Sequence, residues 1–259
     1  LKDVVGRRGL AEDFNRGLAR FFVSGRVAFN DMTGDTAERD EWRQHLQALR
    51  QYFPGSTGPK NTEGVGGFVS DAAEGAGGMV PQMLAMAAGG VPGVSNAVAG
   101  GVGGASLGSM GMSAYGAGVD ETLSRAAQMD EDATKLDAVD PKGARQLREQ
   151  AAGLRAKYRG IAAMKAGVEV LSEKILPEQN ILRGGMGATA LRRAGTVAGK
   201  SFLEGVAAEA GGQLVNNAAF GDPLDAVQVL RGGALEVAAG APMIAAGGLM
   251  PQRRAGGAA

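Results

Sequence analysis

The sequence predicts an all-α protein made of extended helices, with a Gly/Ala-rich helical hairpin and no sheet. Apolar residues recur at spacings of three and four along most of the chain, which is the period of a helix with one buried face. Helix-start signals precede two charged stretches, Asp35 followed by Glu38 and Asp140 followed by Pro141. No alternating run of β-branched residues is long enough for a sheet.

The amino-acid composition excludes several kinds of functional site. The 259 residues carry 27 Lys and Arg against 27 Asp and Glu, so no overall field favours nucleic acid or an acidic partner. With no cysteine and one histidine, His45, a disulfide, a Cys-based zinc site and a thiol nucleophile are excluded, and no metal or cofactor is expected. The first residue is Leu1 rather than Met, from which we expect a processed product or a piece of a longer polypeptide.

The first predicted region, residues 1–58, holds two helices. In the first, one face is apolar and Asp13, Arg16 and Arg20 lie elsewhere; the apolar face comprises Leu10, Phe14, Leu18, Phe21 and Phe22. Such a helix can lie on a membrane surface, but we expect it to cover a core. The second helix is charged and begins at Asp35 or Thr36.

The second region, residues 59–128, is the Gly/Ala-rich hairpin. Residues 75–119 contain no Asp, Glu, Lys, Arg or His, and this is enough chain for two membrane-spanning helices. Gly and Pro at 89–93 separate a first half, residues 70–88, from a second half, residues 94–119. Gly and Ala are only weakly hydrophobic. The sequence is therefore compatible with two alternatives, a hairpin that inserts into a membrane and a close-packed hairpin that never enters lipid.

A row of small residues in the second half is predicted to pack helices together. Gly100, Gly104 and Gly108 lie four residues apart, and Gly116 continues the row. Small residues at this spacing let two helix backbones approach closely. We therefore expect these four glycines to serve helix packing and oligomerisation.

The remaining regions are residues 129–182 and 183–259. An acidic solvated turn is expected between Asp130 and Asp140, followed by a basic exposed helix to about residue 159 and an apolar helix over 160–175. Non-specific DNA contact is conceivable for the basic helix, but a solvated face is the expectation. The last region is predicted to hold helices over 188–220 and 224–250, the second capped by Asp222.

Nothing in the sequence indicates an enzyme. No catalytic constellation is apparent along the chain. The carboxylates Glu204 and Glu209 lie five residues apart on one predicted helix, so they do not share a face as a glycosidase pair would need.

Three stretches carry a resemblance: residues 113–121 (SAYGAGVDE), 162–169 (AAMKAGVE) and 199–213 (GKSFLEGVAAEAGGQ). In this order they resemble a segment of the large internal virion proteins of tailed bacteriophages, the ejection proteins, over roughly residues 64–250. The resemblance implies a protein that travels in the virion, leaves ahead of the DNA and reassembles in the host cell envelope as a conduit. The implied partners are further copies of the chain, other ejection, portal or tail proteins, and the host membrane. A purely structural virion or tail segment that never contacts lipid is the alternative.

Overall fold

The computed structural model describes residues 10–52, 68–78, 80, 96–175 and 190–249. Within these residues there are seven helices and no strand, which confirms the all-α prediction. The helices are α1 (Leu10–Thr33), α2 (Thr36–Tyr52), α3 (68–78), α4 (Asn96–Leu136), α5 (Pro141–Ile175), α6 (Ala190–Phe220) and α7 (Ala226–Leu249). The bend predicted at 89–93 lies outside the described residues, so the described part of the predicted hairpin consists of α3 and α4.

Glycines and acidic caps set several helix boundaries. Helices α1 and α6 are each followed by a glycine in the left-handed region, Gly34 at φ +83° and Gly221 at φ +75°. The carboxylate of Asp35 accepts the amide of Glu38 at 3.0 Å and caps α2, as predicted. The cap predicted for the last helix, Asp222, is wrong. Helix α7 begins at Ala226, and the carboxylate of Asp225 accepts a hydrogen bond from the backbone amide of Val227 at 2.9 Å.

Helices α4 and α5 form a long antiparallel pair. Helix α4 continues to Leu136 and the turn occupies only residues 137–139, so most of the predicted acidic turn is helical instead. Arginines of α5 compensate the acidic charge there, so the chain can stay helical: Asp137 binds Arg148 at 2.5 Å, and Asp130 binds Arg155. Helix α5 runs through residue 160 without a break and joins the two helices predicted there.

Two apolar clusters form the core. The first joins α1, α4 and α5 and consists of Val27, Ala28, Tyr115, Val119 and Ala162. The second joins α4, α5 and α6 and consists of Ala126, Ala151, Leu154, Ile161 and Val215. Alanine supplies four of these ten residues, so the helices are packed closely around small side chains.

Helix α1 buries charged residues that were predicted to lie away from its apolar face. Asp13 and Arg16 are each only 4% exposed, whereas Phe22 is 59% exposed. The reason is an ion-pair cluster with α3: Arg16 binds Asp13 at 2.5 Å and Glu74 at 3.1 Å, and Arg20 also binds Glu74. A buried charge is tolerated when it is paired in this way. The charged side of α1 therefore packs inward.

Glycines allow α1 to approach two other helices at backbone distance. A Cβ added at Gly17 would lie 1.8 Å from the carbonyl oxygen of Glu74, and one added at Gly116 would lie 1.8 Å from the carbonyl oxygen of Ser24. No side chain larger than hydrogen fits at such a contact. Helices α6 and α7 meet in the same manner, since a Cβ at Gly205 would lie 2.7 Å from the carbonyl oxygen of Gly232.

Replacing Gly116 with alanine tests this packing. The new methyl group would collide with the backbone of α1, and we expect the free energy of unfolding to fall by about 3 kcal/mol, the upper part of the range for overpacking. Gly108→Ala on the same helix is the matched control, because nothing lies within 4 Å of its Cβ. Alanine is the better helix former, so the control should stabilise by up to about 1 kcal/mol. Urea unfolding followed by circular dichroism measures both, and equal stabilities would contradict the close contact.

Candidate functional site

The four glycines predicted to pack helices have different surroundings. Gly100 and Gly104 lie within α4, but their environment is outside the described part of the structure. Gly108 is exposed and has open space beside it, whereas Gly116 is buried against Ser24 of α1. Gly116 therefore packs helices within one chain, and Gly108 leaves room for a helix from outside. Their role in oligomerisation stays a prediction.

The carboxylate of Asp31 is a buried meeting point of four helices. Its Oδ1 accepts hydrogen bonds from the hydroxyl of Tyr158 at 2.8 Å and from Nη1 of Arg39 at 3.1 Å. Its Oδ2 accepts from the hydroxyl of Tyr115 at 2.9 Å and from Nε of Arg159 at 3.2 Å. The side chain of Asp31 is fully buried. One carboxylate of α1 thus binds α2, α4 and α5 together.

These contacts decide the protonation of the cluster. Burial alone would raise the pKa of Asp31, but hydrogen bonds from Tyr158, Arg39 and Tyr115 and the charge of Arg159 outweigh it and lower the pKa. Burial and the hydrogen bond to Asp31 raise the pKa of Tyr115 to about 12. The cluster therefore holds one carboxylate and two neutral phenols at neutral pH, which suits a structural contact rather than proton transfer.

Sequence reasoning did not identify this cluster. Asp31 is at the end of a helix and belongs to no motif, and Tyr115 and Tyr158 are far away in the chain. A weak signal was present: Ser24, Val27 and Asp31 lie three and four residues apart, on one face of a helix. That spacing places Asp31 on the inner face but does not reveal its partners.

A cavity of about 510 Å³ lies between α1, α3, α4, α5 and α7. The charged side chains in its wall are four acids and one base: Asp71, Glu74, Glu169, Glu236 and Arg20. Part of this charge is compensated, since Arg20 binds Glu74 and Arg231 of α7 binds Asp71 at 2.6 Å. Burial, and next the charge of Glu209, raise the pKa of Glu169.

Large apolar side chains point away from the core. On α1, Phe22 and Phe29 are exposed, and on α5 Met164 and Leu171 are exposed. The α6–α7 pair has the largest set, which we call the apolar face: Leu203, Leu214, Leu224, Val227 and Leu230. Exposed apolar patches of this kind mark contacts with other molecules.

The basic helix predicted to face solvent is exposed, but its arginines are occupied. Arg145 binds Glu149 at 3.0 Å on the same helix. Three further arginines of α5 bind acids outside this helix: Arg148 binds Asp137 of the turn after α4, Arg155 binds Asp130 of α4, and Arg159 binds Asp31 of α1. A phosphate would have to displace these acids in order to bind the four arginines.

No protein-family model, curated protein or solved structure matches this chain. Among the residues that the structure describes, no group of three or more His, Asp or Glu side chains is arranged to hold a metal ion. No helix, as far as it is described, has both the length and the apolar character of a membrane span.

Asp31→Asn tests the four-helix cluster. The substitution leaves two arginines facing a neutral amide, and breaking a buried ion pair in this way costs about 3 kcal/mol of stability. Because the folded-state pKa of Asp31 lies below its ordinary 3.8, the contribution of the carboxylate is complete above that pH and is lost as the pH falls through the folded-state value. The difference between variant and parent should therefore be large at neutral pH and shrink in acid.

The matched control for Asp31→Asn is Asp137→Asn, which removes an exposed partner of Arg148. Exposed ion pairs contribute little, so thermal unfolding at neutral pH should hardly change. If both substitutions lower the melting temperature equally, Asp31 does not hold the helices together.

Proposed function

We propose that this chain is an assembly segment of a tailed-bacteriophage ejection protein, and that it oligomerises to form part of the conduit for genome delivery across the bacterial envelope. One observation carries the assembly part of the proposal: small and charged side chains occupy much of the interior, and several large apolar side chains of α1, α5, α6 and α7 are at least half exposed. A protein that works alone in water rarely exposes such a set of residues. The phage context rests on the resemblance of residues 113–121, 162–169 and 199–213.

The apolar face of the α6–α7 pair is the surface best suited to protein contact. Leu203 and Leu214 are each more than half exposed. Where the side chains of α6 are described, its other exposed positions are also uncharged: Gly195, Gly199, Ala207, Asn217 and Ala218. Covering the α6 part of this surface removes apolar area from water, and each Å² of apolar area contributes about 25 cal/mol.

A specific observation favours the alternative, a virion or tail segment that never contacts lipid. Helix α3 is the start of the predicted hairpin, and it is tied to neighbouring helices through Glu74 and Asp71. Moving α3 into a bilayer would break these ion pairs or bury their charges, and both are costly. Helix α3 is therefore better suited to remain packed on protein.

The assembly proposal predicts reversible association. Sedimentation velocity over a range of concentrations should show species larger than a monomer, and replacing both Leu203 and Leu214 with serine should weaken association at least about tenfold, which corresponds to about 1.4 kcal/mol. The control replaces Ala152 and Ala156, which are exposed on α5, with serine and should associate like the parent. A parent that stays monomeric, or a leucine variant that associates as well as the parent, would contradict the proposal.

Lipid contact separates the conduit from the purely structural alternative. Purified protein is mixed with dye-filled vesicles containing anionic lipid, and flotation and dye release are measured together. A conduit should float with the vesicles and release dye, and both should be lost in Ala105→Asp, which puts a charge in the uncharged stretch. Ala156→Asp on the exposed side of α5 is the control. Protein that associates but neither floats nor releases dye supports the structural alternative.

A further inference from the structure

Helices α6 and α7, which we call the C-terminal hairpin, contact the rest of the chain at a few defined places. Arg125 of α4 binds Asp222 at 2.6 Å and lies over the ring of Phe220, 4.2 Å from its centroid. Arg231 of α7 binds Asp71 of α3 at 2.6 Å. Between these ion pairs, the second apolar cluster joins α6 to α4 and α5. These two ion pairs and the apolar cluster are among the contacts that hold the hairpin to the rest of the chain.

Glu169 follows a residue of α5 that packs closely on the hairpin. The preceding residue, Val168, packs on α6 so tightly that a Cβ added at Gly211 would lie 2.4 Å from Val168 Cγ1. Glu169 lines the cavity together with Glu236 of α7. The electrostatic influence of Glu209 reaches Glu169 from α6. One carboxyl group of α5 is thus placed beside acids of both helices of the hairpin.

The cations near Glu169 are bound to other acids. Helix α1 contributes Arg20, which binds Glu74 of α3, and α7 contributes Arg231, which binds Asp71. On α5 itself, Lys165 lies one turn earlier and binds Glu121 of α4. The residues of α4 in the cavity wall are uncharged: Met110, Ser113, Ala114 and Ala117. An ionised Glu169 would therefore face mainly acids.

We propose that Glu169 is a proton-dependent contact between α5 and the C-terminal hairpin, which docks fully while this carboxyl is protonated and separates when it ionises. Protonation removes a charge from a half-buried position in the wall of the cavity that Glu236 also lines and that the charge of Glu209 influences. Ionisation adds a like charge there, and separation of the hairpin relieves it by admitting water. The proposal concerns a single chain and does not depend on the proposed assembly or on lipid.

The sign of the pH dependence follows from the raised pKa of Glu169. A group with a raised pKa stabilises the docked state fully below its ordinary value, here 4.5, and the contribution is lost as the pH rises through the docked-state value. The docked hairpin should therefore predominate in mild acid, and the separated form should increase toward neutral and alkaline pH.

The absence of cysteine makes a direct distance measurement simple. Cysteines placed at Ala163 on α5 and Ala207 on α6, both exposed, carry spin labels, and electron–electron double resonance on dilute protein gives their distance distribution. In the parent, the ratio of separated to docked hairpin should rise severalfold between about pH 5 and about pH 8, because the docked hairpin keeps the proton of Glu169 to a higher pH than the separated hairpin does. Glu169→Gln, which cannot ionise, should stay docked at both pH values.

Two further variants make the result decisive. Glu149→Gln removes an exposed acid of α5 that binds Arg145, and it should behave like the parent. Glu209→Gln removes the charge that acts on Glu169 from α6, so it should reduce separation at the higher pH. This variant serves as the test if Glu169→Gln does not fold. Distances that do not change with pH in the parent overturn the proposal, and so does a Glu169→Gln variant, or Glu209→Gln in its place, that separates as readily as the parent.

Discussion

The fold depends on one buried carboxylate that four helices share. Asp31 of α1 accepts hydrogen bonds from Arg39 of α2, Tyr115 of α4, and Tyr158 and Arg159 of α5. A buried charge costs several kcal/mol unless hydrogen bonds replace its water, and four donors supply that replacement here. Because each donor comes from a fixed place on its helix, the carboxylate also sets how the helices are aligned.

The alignment of the helices brings their backbones into contact and thereby limits the size of the side chains that fit between them. Helix α1 touches α4 at Gly116 and α3 at Gly17, where any side chain would collide with a carbonyl group. Alanine and paired charges fit the remaining space, and large side chains such as Phe22 and Leu203 lie outside. The exposed apolar surface is thus a consequence of close helix packing, and it provides the area that an assembly contact would bury.

Helix α3 and the C-terminal hairpin are held to the rest of the chain by different interactions. Helix α3 is attached to α1 by the buried ion pair between Arg16 and Glu74. The C-terminal hairpin is attached partly through the junction at Glu169, whose raised pKa brings its ionisation closer to neutral pH. The same hairpin carries the apolar face, so its position relative to α5 also decides where that face is presented.

The sequence by itself determined the helical class, because apolar spacing, helix caps and the lack of alternating runs are local properties. It located the cap at Asp35 and the helix start at Pro141, and it marked Gly116 as a packing position. Only the tertiary structure decided that charged residues of α1 are buried, since Arg16 is paired there with Glu74, which is 58 residues away in the chain. The Asp31 cluster was inaccessible for the same reason: Tyr115, Tyr158 and Arg159 lie 84 to 128 residues away from Asp31, and no local pattern records which side chains meet when helices pack.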